Sequence, residues 1–205
     1  MTYFNDSTPQ KTQFIIGQPS PGWDKSGFTA IELMITLTIS LVLIGIAIPA
    51  FMKMSAQNQL ATSANHFNRA LTFARQASVS FNTPVTLCAG NASGCFAASS
   101  WNWAKGWLVF IDRDHDGALD AGERVLQTGQ PFGSDVVIAG NSPFKKPIVF
   151  MPMGQAERIS GAFAAGRLRV CVPTPIENNA RDLVLSITGR VRVERVDLQG
   201  DCTPP

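Results

Sequence analysis

The sequence predicts an α+β chain: one long N-terminal helix, transmembrane at first and amphipathic afterwards, packed on a small antiparallel β-sheet head. Three observations carry this expectation. Residues 28–52 hold a single charge in 25 positions. Apolar and small residues then recur at three- and four-residue steps as far as Phe81. Beyond Pro84 the pattern breaks into short runs separated by Gly, Pro, Asn and Ser clusters. With 205 residues, 45% of them apolar and 16% charged, the chain suits one modest domain plus a membrane segment.

The first element is the apolar run FTAIELMITLTISLVLIGIAIPAFM, residues 28–52. About 20 apolar residues cross the hydrocarbon core of a bilayer, so its length suffices. It exceeds the 7–15-residue apolar region of a secretory signal, roughly speaking, and lacks the solvent-facing stripe of a soluble core helix. Lys25 precedes it and Lys53 follows it, but Asp6 and Asp24 balance Lys11 and Lys25, so loop charge orients the segment only weakly. A plain anchor leaves Glu32 unexplained, because an acid at that depth costs at least ~2.5 kcal/mol.

The stretch Lys25-Ser26-Gly27-Phe28-Thr29-Ala30-Ile31-Glu32-Leu33 resembles the prepilin peptidase site of type IV pilins and type II secretion pseudopilins. The resemblance implies cleavage between Gly27 and Phe28, methylation of the new Phe28 amine, and a mature chain of 178 residues. It also implies that the Glu32 carboxylate meets the Phe28 amine of a neighbouring subunit during assembly. Two charges otherwise stranded in lipid would then set the axial register. The expected organisation is a leader over 1–27, a transmembrane half-helix over 28–52, an amphipathic half-helix over 53–83 and a β-rich head over 84–205.

Pro49 ends the strictly apolar part, and the resemblance implies a bend or local melting there in a filament. The amphipathic half carries Leu60, Ala64, Phe67, Leu71, Ala74, Ser78 and Phe81 on one face, with His66 and Arg69 assigned to the far face. Asn82-Thr83-Pro84 stops it. Strands are expected over 85–88, 106–112, 124–127, 136–139, 148–151, 166–172, 183–188 and 190–197. Trp101, Trp103 and Trp107 read as core and sheet-edge packing. The run Trp107-Leu108-Val109-Phe110-Ile111-Asp112 with its Asp/Gly-rich loop, and Ser186-Ile187-Thr188-Gly189-Arg190-Val191-Arg192, look like the GspH/FimT branch of the pilin-like family.

Cys88, Cys95, Cys171 and Cys202 are an even set without CxxC spacing, which favours disulfides over zinc. Three connectivities are open; the local one, Cys88–Cys95 with Cys171–Cys202, is favoured because neither loop crosses the other. An oxidising compartment such as the periplasm follows.

Charge is uneven. From Lys53 onward there are 15 basic and 12 acidic residues, and five of the acids lie between Asp112 and Glu123. That stretch fits the calcium-loop pattern DxDxDGx5E, with Asp112, Asp114, Asp116, Ala118 (through its carbonyl), Asp120 and Glu123 as ligands. A strand before the loop argues instead for a hairpin held by Asx turns. Calcium is the one cofactor for which the sequence offers a candidate site. The second constellation is basic: alternation on a strand places Arg190 and Arg192 on one face, with Arg195 nearby, and the resemblance implies DNA capture by such arginines in some relatives.

No nucleophile elbow, P-loop or GxGxxG motif is present, and two isolated histidines assemble neither a triad nor a zinc centre, so no enzyme is expected. The expected protein is a structural minor pilin or pseudopilin of a type II secretion pseudopilus or a type IV pilus tip. DNA uptake or a calcium-binding head are the alternatives. Its expected partners are other pilins or pseudopilins, a prepilin peptidase, an inner-membrane assembly platform and membrane lipid. The resemblance places it as a single-pass inner-membrane protein with a periplasmic head.

Overall fold

A capping box opens the long helix. The structure, a computed structural model, describes residues 27–205, so the expected leader lies outside the described residues except for Gly27. Helix α1 (Ala30–Phe81) is 52 residues long. Thr29 caps it: its hydroxyl accepts the Glu32 N–H at 3.3 Å, and Glu32 Oε2 accepts the Thr29 N–H at 3.1 Å. Among the described residues, 27–44 and Gly45–Pro205 belong to two separate compact units. In the first, the hydroxyls of Thr36, Thr38 and Ser40 donate to carbonyls three or four residues back, at 2.7–3.0 Å, so these polar groups need no outside partner. The helix is long and apolar enough to cross a membrane, by length and composition.

Pro49 does not interrupt α1, although its ring removes the donor that would reach the Gly45 carbonyl. Further on, Leu60, Ala64, Phe67, Leu71, Ala74 and Ser78 are buried, as the periodicity predicts. Phe81 departs from that face. It is 48% exposed, with the Arg124 guanidinium 4.9 Å from its ring centroid. The helix then ends in a Schellman turn. Asn82 takes a left-handed φ of 47°, its N–H reaches Val79 O at 3.4 Å, and the Thr83 N–H reaches Ser78 O at 3.3 Å.

The strands of the body are β1 (Val85–Asn91), β2 (Gly94–Cys95), β3 (Trp107–Ile111), β4 (Val125–Gly129), β5 (Val137–Gly140), β6 (Ile148–Phe150), β7 (Ala156–Glu157), β8 (Gly166–Cys171), β9 (Ala180–Leu185) and β10 (Val191–Val196). All pairings are antiparallel. One sheet has the order β4-β3-β1-β6-β7 with β2 added to β1, and the other has the order β10-β9-β8-β5. Both sheets contribute to one core with the buried stripe of α1, in which Phe67 stacks on Phe132 and meets Trp103 edge-on. Trp103 and Trp107 are buried, as expected, and the Trp101 and Trp103 indoles both donate to the Phe144 carbonyl, at 2.9 and 2.7 Å.

The expected solvated position of His66 is corrected. Its ring lies 5.4 Å from Trp107 and 5.6 Å from Phe132, half-buried at the helix–sheet seam, because the helix register turns it toward the aromatic cluster; Arg69 is exposed as expected. Arg75 ties the helix to two turns at once: its Nε donates to Gly154 O at 2.9 Å and to Thr188 O at 3.2 Å. Two disulfides, Cys88–Cys95 and Cys171–Cys202, realise the local connectivity. The first staples β2 to β1, and the second fastens the C-terminal tail to β8.

Gly129 faces Trp107 across the β3–β4 pair, and a Cβ there would run into the indole ring. Overpacking a rigid buried ring costs about 1–3 kcal/mol. Gly129→Ala is therefore expected to destabilise the head by that amount, read as a lower urea midpoint at unchanged slope. An unchanged midpoint would mean that β4 shifts freely at its end.

Candidate functional site

Three places were expected to carry function, and each is built differently. At the N-terminus, Gly27, Phe28 and Thr29 precede the helix in non-helical conformation. Phe28 is 87% exposed, and nothing lies within 4 Å of a Cβ built on Gly27. Among the described residues, nothing packs closely on Gly27 and Phe28. The Glu32 carboxylate is held by its own chain: Oε2 accepts both the Thr29 N–H at 3.1 Å and the Thr29 hydroxyl at 3.0 Å, while Oε1 has no bond among the described residues. Thr29 is the functional residue that sequence reasoning missed, although the T-x-x-E spacing of a capping box stood in plain view.

The acidic loop joins β3 to β4. Asp112 is fully buried at its start, where its Oδ2 accepts the Thr86 hydroxyl at 2.5 Å and the Gly117 N–H at 3.1 Å; its Oδ1 is buried with no hydrogen bond. Left-handed φ angles at His115 (63°) and Gly117 (76°) curl the chain back. One carboxylate oxygen from each of Asp112, Asp114 and Asp116 thereby comes within 4.8 Å of the others. Burial pushes the Asp112 carboxyl above its ordinary value, against the bonds from Thr86 and Gly117 and the nearby His115 N–H, and the Asp116 charge adds to the rise. Asp120 is also raised, chiefly by the charge of Asp116.

The six-ligand calcium loop is corrected here. Glu123 does not join the three aspartates, because its two oxygens accept the Arg113 N–H at 2.8 Å and the Asp120 N–H at 3.1 Å. Asp120 also lies outside the cluster. The reason is the flanking hairpin: the β3–β4 pairing brings the two ends of the loop together, and Glu123 caps backbone groups there instead of a cation.

The expected arginine face is not formed as a set. Arg190 precedes β10, Arg192 lies within it, and Arg195 alternates to the opposite face, in register with Arg181 on β9. Arg192 is paired with Glu194 at 2.6 Å. On the same sheet face Asp182 is fully buried, gripped by Arg169 through two bonds of 2.7 and 2.8 Å and by Arg167 at 2.9 Å, and Arg167 also reaches Glu194 at 3.1 Å. In this ladder every one of the three guanidiniums is paired with one of two carboxylates, so it is not a row of free cations. Burial pushes Asp182 up, but the bonds from Arg169 and Arg167 outweigh it and hold the carboxyl below its ordinary value.

Residues 63–189 match the family model described as type II transport protein GspH. No curated protein matches the chain in sequence. Among solved structures the chain is similar to the type IV minor pilin FimU of Pseudomonas aeruginosa strain PAO1, with 19% identity and a TM-score of 0.51 over 69% of this chain and 92% of that one. That likeness is one of fold. It is also similar to the minor pseudopilin EpsH from the type 2 secretion system of Vibrio cholerae, with 6% identity and a TM-score of 0.46 over 67% of this chain and 97% of that one.

Proposed function

The chain belongs to the GspH family of type II transport proteins, and on that premise we propose that it is a structural pilin-like subunit cut between Gly27 and Phe28 and polymerised through α1. The observation that carries this reading is local. A non-helical Gly27–Phe28 bond, with nothing packed closely on it among the described residues, stands directly before a helix whose only acid, Glu32, has one oxygen held by its own cap and one oxygen free among the described residues. Cleavage creates an ammonium at Phe28, four residues before that carboxylate. A charge pair inside lipid is strongly favoured over two separate charges, so the free oxygen is suited to the amine of an adjacent copy.

The subunit waits in the inner membrane, spanned once by the segment 28–52, with the disulfide-bonded head in the periplasm. It then joins a type II secretion pseudopilus or the tip region of a type IV pilus, where its partners are other pilins or pseudopilins. Prepilin peptidase and the assembly platform act on it beforehand. Family and fold are those of structural pilins rather than of enzymes. DNA capture through Arg190, Arg192 and Arg195 draws no support from their arrangement, and we do not propose it.

The test is mass spectrometry of the chain purified from cells that possess the peptidase. The expected N-terminus is N-methylated Phe28. Retention of residues 1–27, or a cut elsewhere, sinks the reading.

A further inference from the structure

The acidic loop lies outside α1 and holds a buried carboxylate oxygen without a hydrogen bond. Among the described residues none of its five acids enters an ion pair. Asp112 is completely buried, and two bonds on Oδ2 fix its carboxylate in place; Oδ1 accepts no hydrogen bond, and beyond those two bonds only the nearby His115 N–H eases the carboxylate's charge. A buried charged oxygen without a partner is strongly disfavoured unless something positive reaches it. The same carboxylate closes the cluster with Asp114 and Asp116, both exposed on their other side.

We propose that Asp112, Asp114 and Asp116 form the carboxylate half of a calcium site, completed by carbonyl and water oxygens. The all-oxygen ligand set favours a hard cation. Calcium takes oxygen ligands at about 2.3–2.6 Å, so ligands on opposite sides of one ion lie up to roughly 5 Å apart. Three oxygens no more than 4.8 Å apart can close on one calcium with small side-chain movements. Magnesium demands bonds of about 2.0–2.1 Å in strict octahedral geometry and sheds its water reluctantly, so three protein carboxylates converging on one ion suit calcium better. Zinc wants nitrogen or sulfur, but all four cysteines are in disulfides and His115 stays outside the cluster.

Because Glu123 is spent on backbone N–H groups, the site lacks the bidentate ligand of a tight loop. It falls in the weak class suited to extracellular calcium, with Kd of about 10⁻⁴–10⁻³ M. The ion would order a loop that covers the back of the first sheet. Leu119 packs on Leu108 and Phe110 there, and the Gly117 carbonyl lies 3.5 Å from Cys95 Sγ.

Calcium binding by this loop is separable from filament assembly, because a titration reads ion binding alone. The full chain purified in detergent is titrated with calcium chloride, with magnesium chloride, and with sodium chloride at matched ionic strength. At tenfold excess over Kd, calcium is expected to raise the head's Tm by roughly 3–6 °C, and magnesium and sodium by far less. Asp114→Asn with Asp116→Asn should abolish that rise and leave the ion-free Tm unchanged or higher, because like charges are relieved. Asp120→Asn should keep the rise. No calcium-specific rise at about 10 mM, an equal response to magnesium, or a rise that survives the double substitution overturns the site. Should the double variant fail to fold, equilibrium dialysis of the native chain decides: binding of well under one calcium per chain at about 10 mM overturns it.

Discussion

Glu32→Ala is expected to cut incorporation into filaments by about tenfold or more while leaving membrane insertion intact or improved. An acid at the depth of Glu32 costs at least ~2.5 kcal/mol, a factor of roughly 70, so removing it makes the segment 28–52 a better membrane helix. The variant nevertheless loses two things. One is the cap, in which Oε2 takes the Thr29 N–H and hydroxyl; losing such a cap costs about 1 kcal/mol. The other is the negative charge available to a neighbour's Phe28 amine. Glu32→Gln separates them, because an amide oxygen still caps Thr29 but carries no charge. The measurement is the ratio of sheared-filament protein to membrane protein on immunoblots. Both variants should fail to assemble and both should remain in the membrane fraction. If Glu32→Gln assembled normally, the carboxylate would be a helix cap and nothing more. If Glu32→Ala did so, polymerisation through this residue would be wrong.

The helix and most of the sheets were legible because their signals are local. Leu60, Ala64, Phe67, Leu71, Ala74 and Ser78 repeat at helical spacing, and all are buried. The eight expected strands all exist, within a few residues at their ends, because Gly, Pro and Asn punctuate them. The two missed strands, Gly94–Cys95 and Ala156–Glu157, have two residues each, too few to show any alternation. His66 was misplaced for a different reason. Its surroundings include Phe132, which lies between strands and more than sixty positions away, so no periodicity within the helix reports it.

The candidate sites divide along the same line. Arg192 and Glu194 share strand parity, and Arg195 has the other, so the breakup of the basic face follows from alternation once the pairing partner is counted. The grip of Arg167 and Arg169 on Asp182 depends on the β8–β9 register, which the sequence does not spell out. In the acidic loop the pattern of ligand types was fully present, but a pattern fixes only which side chains are available. The hairpin decides where they point, and it turns Glu123 back onto Arg113 and Asp120.

Asp182→Asn is expected to destabilise the head by about 3–5 kcal/mol at pH 7, the range for breaking one side of a buried ion pair. The carboxylate is fully buried and accepts three bonds, two of them the parallel fork of Arg169. An amide at that position turns one acceptor into a donor facing guanidinium donors, and it leaves the Arg169 charge, mostly buried, without compensation. Acid should erase the difference. The folded carboxyl sits below its ordinary value, so its contribution is fully present above the unfolded pKa of about 3.9 and is lost as pH falls through the lower folded value. The gap between native and variant urea midpoints should therefore be wide at neutral pH and narrow progressively below about pH 4. Trp101, Trp103 and Trp107 all lie in the head and report its unfolding by fluorescence. Replacing Asp182 and Arg169 together by leucine provides the counter-test, since removing both charges of a buried pair is often close to neutral. A single substitution that costs less than about 1 kcal/mol, or a gap that persists unchanged in acid, would show that the ladder across β8, β9 and β10 is ornamental to stability and that packing beneath it holds the sheet.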